Sequence, residues 1–184
     1  TQALLELDTI VSHLDLERDQ VTVGIVGDLK RSRTARSLSY LLALYPQIKH
    51  VFIAPEELQM GDDLITYLDE RDIAWKRTDS MEDALPSLDA VYMMRMQDEY
   101  GETSEALRQK YAEFRLTTDR TNLLKDDAII LHPLPRRDEL PIEIDADRRA
   151  RYWEAVNRGK YVRIALLLHM FGKDDLDDLR AHAG

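Results

Sequence analysis

Short apolar runs rich in β-branched residues alternate along the chain with longer amphipathic stretches, and this alternation restricts the fold more than any other feature. The clearest run, VTVGIVGD at 21–28, predicts a buried strand. Further runs at 50–55, 73–78, 90–96 and 128–135 predict the other strands. Alternating strands and helices are typical of a parallel sheet with helices on both faces. The predicted fold is therefore α/β, a three-layer, Rossmann-like αβα arrangement around a central parallel sheet of about five strands.

The amphipathic stretches between these runs predict the helices. At 3–14, the residues Leu4, Leu7, Val11 and Leu14 recur at helical spacing and predict the apolar stripe of the first helix. Further helices are predicted at 31–45, at 61–72, from Ser80 onward, at 104–114, at 117–124, at 147–157 and at 159–171.

Length and charge limit the partners of the chain. Its 184 residues fit one domain, and a formal net charge of −10 argues against nucleic acid, whose binding needs a basic patch. No apolar run approaches the length that spans a bilayer and no secretory leader is recognisable, so no membrane partner is expected. Cysteine is absent, which excludes disulfides and thiolate metal sites. These features predict a cytoplasmic protein.

Three polar segments directly follow predicted strands. They are GDLKRSRT at 27–34, RMQ at 95–97 and HPLPR at 132–136. In parallel sheets, ligands bind beyond the carboxyl ends of the strands. The three segments therefore outline one candidate site.

The first segment places Lys30, Arg31, Arg33 and Arg36 at the start of a predicted helix. A helix N-terminus favours anions, and a guanidinium adds a planar fork that matches a carboxylate. The alternative is a set of arginines paired with surface acids. The run GIVGDL lacks the complete glycine pattern of a dinucleotide site, which disfavours a nucleotide-binding Rossmann domain.

The other two segments add different groups. Arg95 and Gln97 are two residues apart, so on a strand they would face one side and could grip a carboxylate; the alternative is a solvent-facing edge pair. Pro133 and Pro135 remove two N–H donors and leave carbonyls free for a ligand amine, and the sequence allows a cis bond before Pro135. The alternative here is a rigid turn beside a surface histidine, His132. Two arginines and free carbonyls together predict a site for a small amino dicarboxylic acid.

A set of motifs, in order along the chain, resembles aspartate carbamoyltransferase. They are TQALLELDTI, VGDLKRSRT, YMMRMQ, LHPLPR and YVRIALL. The resemblance covers almost the whole chain and identifies 1–184 as the C-terminal, aspartate-binding domain of the catalytic chain. It implies that 1–14 and 159–172 are interdomain helices, which in the family pack on a carbamoyl-phosphate domain that this sequence lacks.

The resemblance also implies a reaction. In the family, the amine of L-aspartate attacks the carbonyl carbon of carbamoyl phosphate, giving N-carbamoyl-L-aspartate and phosphate in pyrimidine biosynthesis, with no metal or organic cofactor. Matched by motif, Arg33 would hold the α-carboxylate of aspartate, with Thr34 beside it. Arg95 would hold the side-chain carboxylate, supported by Gln97.

Further contacts are implied for the backbone and for the start of the chain. Leu134 and Pro135 would present backbone groups to the reacting atoms, and Gln2 would touch the carbamoyl amide. Lys30 and Glu99 match positions near the flexible loop that closes over the substrate in the family.

Several parts of the family's site are missing from this sequence: a His-Pro pair before Thr1, a phosphate cradle, and a lysine loop from a neighbouring subunit. The resemblance therefore implies that carbamoyl phosphate binds through a missing N-terminal domain, that the complete enzyme is a homotrimer, and that the isolated chain is inactive. The two interdomain helices would expose apolar residues and promote self-association. These residues are Leu4, Leu7, Val11, Leu166, Leu167, Leu168 and Phe171.

Two alternatives share the architecture. Ornithine carbamoyltransferase usually has a cysteine where this chain has Pro133, and it lacks the Arg95-x-Gln97 grip on a second carboxylate. A non-catalytic carbamoyltransferase-like scaffold module would have no need to retain Arg33, Arg95 and Gln97.

Overall fold

A computed structural model of the chain describes residues 1–97 and 104–173. Within these ranges the strands are β1 (Val21–Val26), β2 (Ile48–Ile53), β3 (Trp75–Thr78), β4 (Ala90–Met93) and β5 (Ile129–Leu131). The helices in the same ranges are α1 (Gln2–His13), α2 (Arg33–Leu42), α3 (Asp62–Asp69), α4 (Met81–Ala84), α5 (Glu105–Ala112), α6 (Thr118–Thr121) and α7 (Tyr152–Met170).

The strands of the described ranges form one parallel sheet in the order β3-β2-β1-β4-β5. From β1 the chain moves outward to β3, and it then crosses back to place β4 on the other side of β1. Strand order therefore reverses between β1 and β4, which is where open α/β sheets bind ligands. This topology confirms the predicted α/β fold.

Side-chain alternation along β1 explains the two apolar layers. Every residue of the strand is buried. Val21, Val23 and Ile25 join the core cluster that contains residues of α1, α2 and α3, whereas Val26 belongs to the cluster on the opposite face. Both faces of the central strand are thus covered, as expected for a parallel sheet.

The first helix buries a different face from the predicted one. Of the predicted stripe Leu4, Leu7, Val11 and Leu14, only Leu14 is fully buried, and Val11 is exposed. The inward stripe escapes a search for apolar periodicity because it includes two polar side chains. The buried residues of α1 are Ala3, Leu5, Glu6, Thr9 and Ile10.

The helices predicted at 147–157 and 159–171 form one helix, α7, which begins only at Tyr152. The segment before it runs beside β5. Ile130 N–H donates to the Arg149 carbonyl at 2.8 Å, and Arg151 N–H donates to the Ile130 carbonyl at 2.9 Å. These bonds occupy backbone groups that an earlier helix start would need, so the prediction is wrong for 147–151.

The inner half of α7 packs against α1. Arg158 Nε donates to Asp8 at 2.6 Å, and His13 hydrogen-bonds Glu154 at 2.9 Å. Inside α7, Gly159 leaves room for the Leu5 side chain. The two helices therefore form one layer.

The outer half of α7 lies open to solvent in this chain. Leu167 and Phe171, which were predicted to be exposed, are exposed, and Phe171 retains 77% of its accessible surface. Val11 of α1, predicted in the same set, is also exposed. The other predicted residues are half-buried: Leu4, Leu7, Leu166 and Leu168. Further apolar residues exposed on this half are Tyr161, Ile164 and Met170.

None of the helices in the described ranges combines the length and the apolar character needed to cross a membrane.

Candidate functional site

The loops that follow β1 and β4 meet at the switch point because Gly27 lacks a side chain. Its φ is +120°, and a Cβ at this position would overlap the carbonyl oxygen of Met94. Met94 N–H donates to the Val26 carbonyl at 2.8 Å, as the last backbone bond between these strands. Glycine therefore lets the two loops begin in direct contact.

Asp28, directly after Gly27, ties the two loops together. It is fully buried. Oδ2 accepts from the Gln97 N–H at 3.1 Å and lies 3.6 Å from the Arg31 guanidinium, whereas Oδ1 accepts from the Arg31 N–H at 3.4 Å. A buried carboxylate with charged and backbone donors holds both loops at a fixed distance.

The loop after β1 enters α2 through a capped turn. Buried Ser32 accepts from the Ala35 N–H at 3.0 Å, which satisfies one free donor of the helix start. Arg33 and Thr34 are the first two residues of α2; Arg33 is exposed and Thr34 is half-buried. Arg33 therefore stands at the rim of the switch point, where the helix dipole favours an anion.

The two other cations named in the sequence, Lys30 and Arg36, make different contacts. Arg36 pairs with Asp63, so it belongs to the surface ion pairs. Lys30 is exposed, and its N–H donates to the Leu58 carbonyl at 2.9 Å. Glu99, which was grouped with Lys30, lies outside the described residues.

Arg95 and Gln97 follow β4 instead of lying on it, because the strand ends at Met93. The predicted strand alternation between them is therefore wrong. Beyond the strand, the Gln97 N–H donates to the Asp28 carboxylate instead of to a neighbouring strand. Arg95 is half-buried, and its Nη1 donates to the Met96 carbonyl at 3.3 Å. Both residues remain at the carboxyl edge of the sheet.

The segment after β5 turns back sharply at the same edge. The Leu134–Pro135 bond is cis, as the sequence allowed. Leu134 has a φ of 53°, a left-handed conformation that is costly for a branched side chain. The surrounding contacts must therefore hold this residue in place.

His132 and Glu139 supply that support. The His132 side chain is buried, which contradicts the alternative of a surface histidine. Its Nδ1 accepts from the Leu134 N–H at 2.8 Å, and its Nε2 lies 2.9 Å from a Glu139 oxygen. Because Nδ1 accepts, Nε2 carries the proton and donates to Glu139.

The carboxylate of Glu139 is matched to this role. Burial disfavours its ionised form, but hydrogen bonds from His132 and from the Arg137 N–H outweigh burial and lower its pKa. The Arg137 N–H donates at 2.8 Å to the same oxygen that His132 contacts. Glu139 is therefore ionised at neutral pH and fixes both ends of the turn.

A second buried polar group lies at the start of the chain. Gln2 Nε2 donates to Glu6 at 2.7 Å, and Glu6 is fully buried. Burial raises the pKa of Glu6 to about 8. The buried Tyr92 hydroxyl is close enough to Glu6 and to Thr34 for both to influence its pKa, which burial raises. Gln2 and Thr34, predicted separately, thus border one buried cluster.

Asp28, Glu139 and Glu6 were not predicted as site residues. A signal existed for Asp28, because it follows glycine directly at the end of a strand. Sequence spacing gives no such signal for Glu139 or Glu6, since the burial of a carboxylate depends on tertiary contacts.

A cavity of about 560 Å³ lies beside this site, at the carboxyl ends of β2 and β3. It shares Lys30 with the predicted site, and Gln59, Arg77 and Asp79 also line it. In residues 1–97 and 104–173 no group of three or more His, Asp or Glu side chains could hold a metal ion.

Comparison with known proteins gives a consistent result. The family model described as "Aspartate/ornithine carbamoyltransferase, Asp/Orn binding domain" matches residues 19–170. Aspartate carbamoyltransferase 2, chloroplastic, of Pisum sativum is 38% identical over 168 residues, which are 91% of this chain but only 43% of that protein. The chain thus spans less than half of that relative.

Solved structures agree. The catalytic subunit of M. Jannaschii aspartate transcarbamoylase superposes with a TM-score of 0.83 at 30% identity, covering 95% of this chain and 56% of that one. Aspartate transcarbamoylase from Trypanosoma cruzi, in complex with carbamoyl phosphate and aspartate, superposes with a TM-score of 0.82 at 33% identity, covering 90% and 55%. The chain therefore belongs to the aspartate/ornithine carbamoyltransferase family, and it corresponds to the Asp/Orn-binding domain.

Proposed function

We propose that the complete protein transfers the carbamoyl group of carbamoyl phosphate to L-aspartate, and that this chain is its aspartate-binding domain. One observation carries the proposal: the loops bearing Arg33, Arg95 with Gln97, and Leu134 with Pro135 follow β1, β4 and β5, which are adjacent in the sheet. The Trypanosoma cruzi relative, solved with carbamoyl phosphate and aspartate, supports the same substrates.

In this proposal two guanidinium groups recognise the two carboxylates of aspartate. Arg33, with the Thr34 hydroxyl, binds the α-carboxylate, and Arg95, with Gln97, binds the side-chain carboxylate. A guanidinium can donate two parallel hydrogen bonds to a carboxylate. Ornithine would instead bring its terminal cation towards Arg95, where like charges repel. The site therefore favours a dicarboxylic amino acid.

The backbone of Leu134 and Pro135 holds the amine near its target. The nitrogen forms a C–N bond with the carbonyl carbon of carbamoyl phosphate, and the C–O bond to phosphate breaks. Phosphate leaves with the electron pair, and a proton leaves the nitrogen. Gln2 contacts the carbamoyl amide. Such a site accelerates the reaction by orientation and by stabilising charge.

A second domain completes this site. The 43% share of the Pisum sativum relative supports a longer protein, in which the remaining part binds carbamoyl phosphate. We propose that 1–14 and 159–172 are the interdomain helices. The exposed Ile164, Leu167 and Phe171 provide the apolar surface that such a contact requires. On this proposal the isolated chain does not catalyse the transfer.

We further propose a homotrimer for the complete enzyme and the cytoplasm as its compartment. The trimer follows from the family resemblance, in which neighbouring subunits share sites. Sedimentation velocity of the complete protein tests it, and a monomer would contradict it. Cell fractionation tests the compartment, and recovery with an organelle would contradict it, as the chloroplastic name of the Pisum sativum relative illustrates.

The decisive experiment offers the complete protein labelled carbamoyl phosphate with either aspartate or ornithine. We expect labelled carbamoyl-aspartate and no carbamoyl-ornithine. Arg95→Gln should lower kcat/KM for aspartate about 100-fold, because a charge-assisted grip is lost. Arg36→Gln is the matched control, since Arg36 pairs with Asp63, and its effect should stay within about twofold.

Two outcomes would contradict the proposal. Carbamoyl-ornithine as the product would assign the chain to the ornithine branch of the family. No transfer to either amino acid, by a complete and folded protein, would favour a non-catalytic scaffold.

A further inference from the structure

Glu6 is a buried carboxyl group that the fold alone does not explain. It lies on α1, one turn after Gln2, and has no accessible surface. One oxygen accepts from the Gln2 amide at 2.7 Å, and the other, Oε2, has no hydrogen-bond partner in the described part of the chain. Burial of an incompletely paired carboxyl group is costly, and an apolar side chain would pack here without that cost.

The surroundings of Glu6 favour its neutral form. Burial raises its pKa to about 8, so it is mostly protonated at neutral pH. Tyr92, on β4, is equally buried, and its hydroxyl has no well-aligned partner among the described residues. Glu6 Oε1 can accept from the Gln2 amide in either protonation state, while Oε2 and the Tyr92 hydroxyl are buried without a hydrogen-bond partner among the described residues. The cluster therefore fits an uncharged carboxyl group.

The bond from Gln2 to Glu6 also fixes the side-chain amide of Gln2. Its NH₂ group faces Glu6, so its carbonyl oxygen is left without a protein donor among residues 1–97 and 104–173. An amide that turned over would bring its carbonyl oxygen towards Glu6 and its NH₂ group towards the ligand. Without an anchoring acceptor the two orientations differ little in shape.

We propose that Glu6 is a positioning residue that holds Gln2 with its carbonyl oxygen towards the substrate, and so selects a carbamoyl group through its NH₂. The inference rests on the proposed function, because Gln2 is assigned there to the carbamoyl amide. A carbonyl oxygen accepts from the carbamoyl N–H, whereas a turned NH₂ group cannot. A methyl group in the place of the carbamoyl NH₂ gains nothing from this acceptor.

Acetyl phosphate is the matched probe, because it replaces the carbamoyl NH₂ with a methyl group and keeps the phosphate. The complete protein is titrated with carbamoyl phosphate and with acetyl phosphate, and transfer to aspartate is measured in parallel. Glu6→Leu removes the acceptor and keeps a similar volume. We expect about a tenfold loss of carbamoyl phosphate affinity, the size of one hydrogen bond, with acetyl phosphate affinity unchanged.

Two further variants separate positioning from packing. Glu6→Gln retains a carbonyl acceptor and a donor, so most of the preference for carbamoyl phosphate should return. Thr9→Val alters another buried polar residue of α1, whose hydroxyl donates to the Leu5 carbonyl of the same helix, and should leave the preference intact. If Glu6→Leu does not fold, Glu6→Met provides the same measurement.

Equal losses for both phosphates in Glu6→Leu, or an unchanged preference, would overturn the inference while the wild-type protein still makes carbamoyl-aspartate. A wild-type protein that makes none would instead overturn the proposed function.

Discussion

At the carboxyl edge of the sheet, polar groups find partners within the chain, whereas on the outer half of α7 apolar side chains are left exposed. At the edge, Asp28 and the His132–Glu139 pair satisfy backbone donors within the chain. On α7, apolar side chains such as Leu167 and Phe171 face solvent. The comparison teaches that the carboxyl edge holds its shape through contacts within this chain, whereas the outer half of α7 exposes apolar surface, which a second domain covers in our proposal.

Removal of Asp28 should break this comparison most strongly. Asp28→Ala leaves the Gln97 and Arg31 donors unmatched, so we expect a loss of about 3 kcal/mol of unfolding free energy and about 100-fold in kcat/KM for aspartate. Urea unfolding and steady-state kinetics of the complete protein measure both. Asp62→Ala is the control, because this exposed carboxylate pairs with Arg77 at 2.8 Å and should matter by less than about 1 kcal/mol. Equal effects in the two variants would refute the bridging role.

Glu139 should give the next largest effect. Glu139→Leu removes the acceptor for His132 and for the Arg137 N–H, and thereby loosens Leu134. We expect a loss of about 2 kcal/mol of stability and about a tenfold fall in kcat, because Leu134 contacts the reacting groups in our proposal. For Glu139→Gln, both the loss of stability and the fall in kcat should be smaller than for Glu139→Leu. A loss of stability without any change in kcat would show that the turn at Leu134 does not contribute to catalysis.

Glu6 should produce a pH-dependent stability. Its pKa lies at about 8 in the folded chain and near 4.5 when unfolded, so its contribution is fully present below about pH 4.5 and is lost as the pH rises through 8. The melting temperature of the wild-type chain should fall between pH 5 and 9 by about 10 °C more than that of Glu6→Gln. Parallel melting curves would contradict this expectation.

The outer half of α7 should give the smallest effect on stability but should change association. Leu167→Ser with Phe171→Ser should reduce self-association of the 184-residue chain, because less apolar surface is exposed. Sedimentation velocity measures this, and Leu123→Ser, at an exposed residue elsewhere, is the control. A chain that is monomeric before any substitution would show that the exposed surface is tolerated.

The fold was predictable because strand and helix periods differ clearly in this sequence. The β-branched run of β1 and the amphipathic stretch at 31–45 leave little ambiguity, and both elements are confirmed, although α2 is limited to Arg33–Leu42. The inward face of α1 was not predictable, since two stripes share the helical period and the buried one contains Glu6 and Thr9.

The placement of the three polar loops at one edge of the sheet was predictable, but the buried contacts that support these loops were not. The rule that ligands bind at strand carboxyl ends led to Arg33, Arg95 and the turn at Leu134, whose roles stay predictions. Asp28 and Glu139 act through buried hydrogen bonds, which depend on contacts between distant or irregular segments. The sequence reveals their residue types without revealing their burial.

Gly27 gives the architecture an unusual vulnerability. The ends of β1 and β4 come this close because Gly27 has no Cβ atom, so even the methyl group of alanine would push the two strand ends apart. Single substitutions can change the charged side chains around the switch point one at a time, but at Gly27 even the smallest side chain would disrupt the backbone contact.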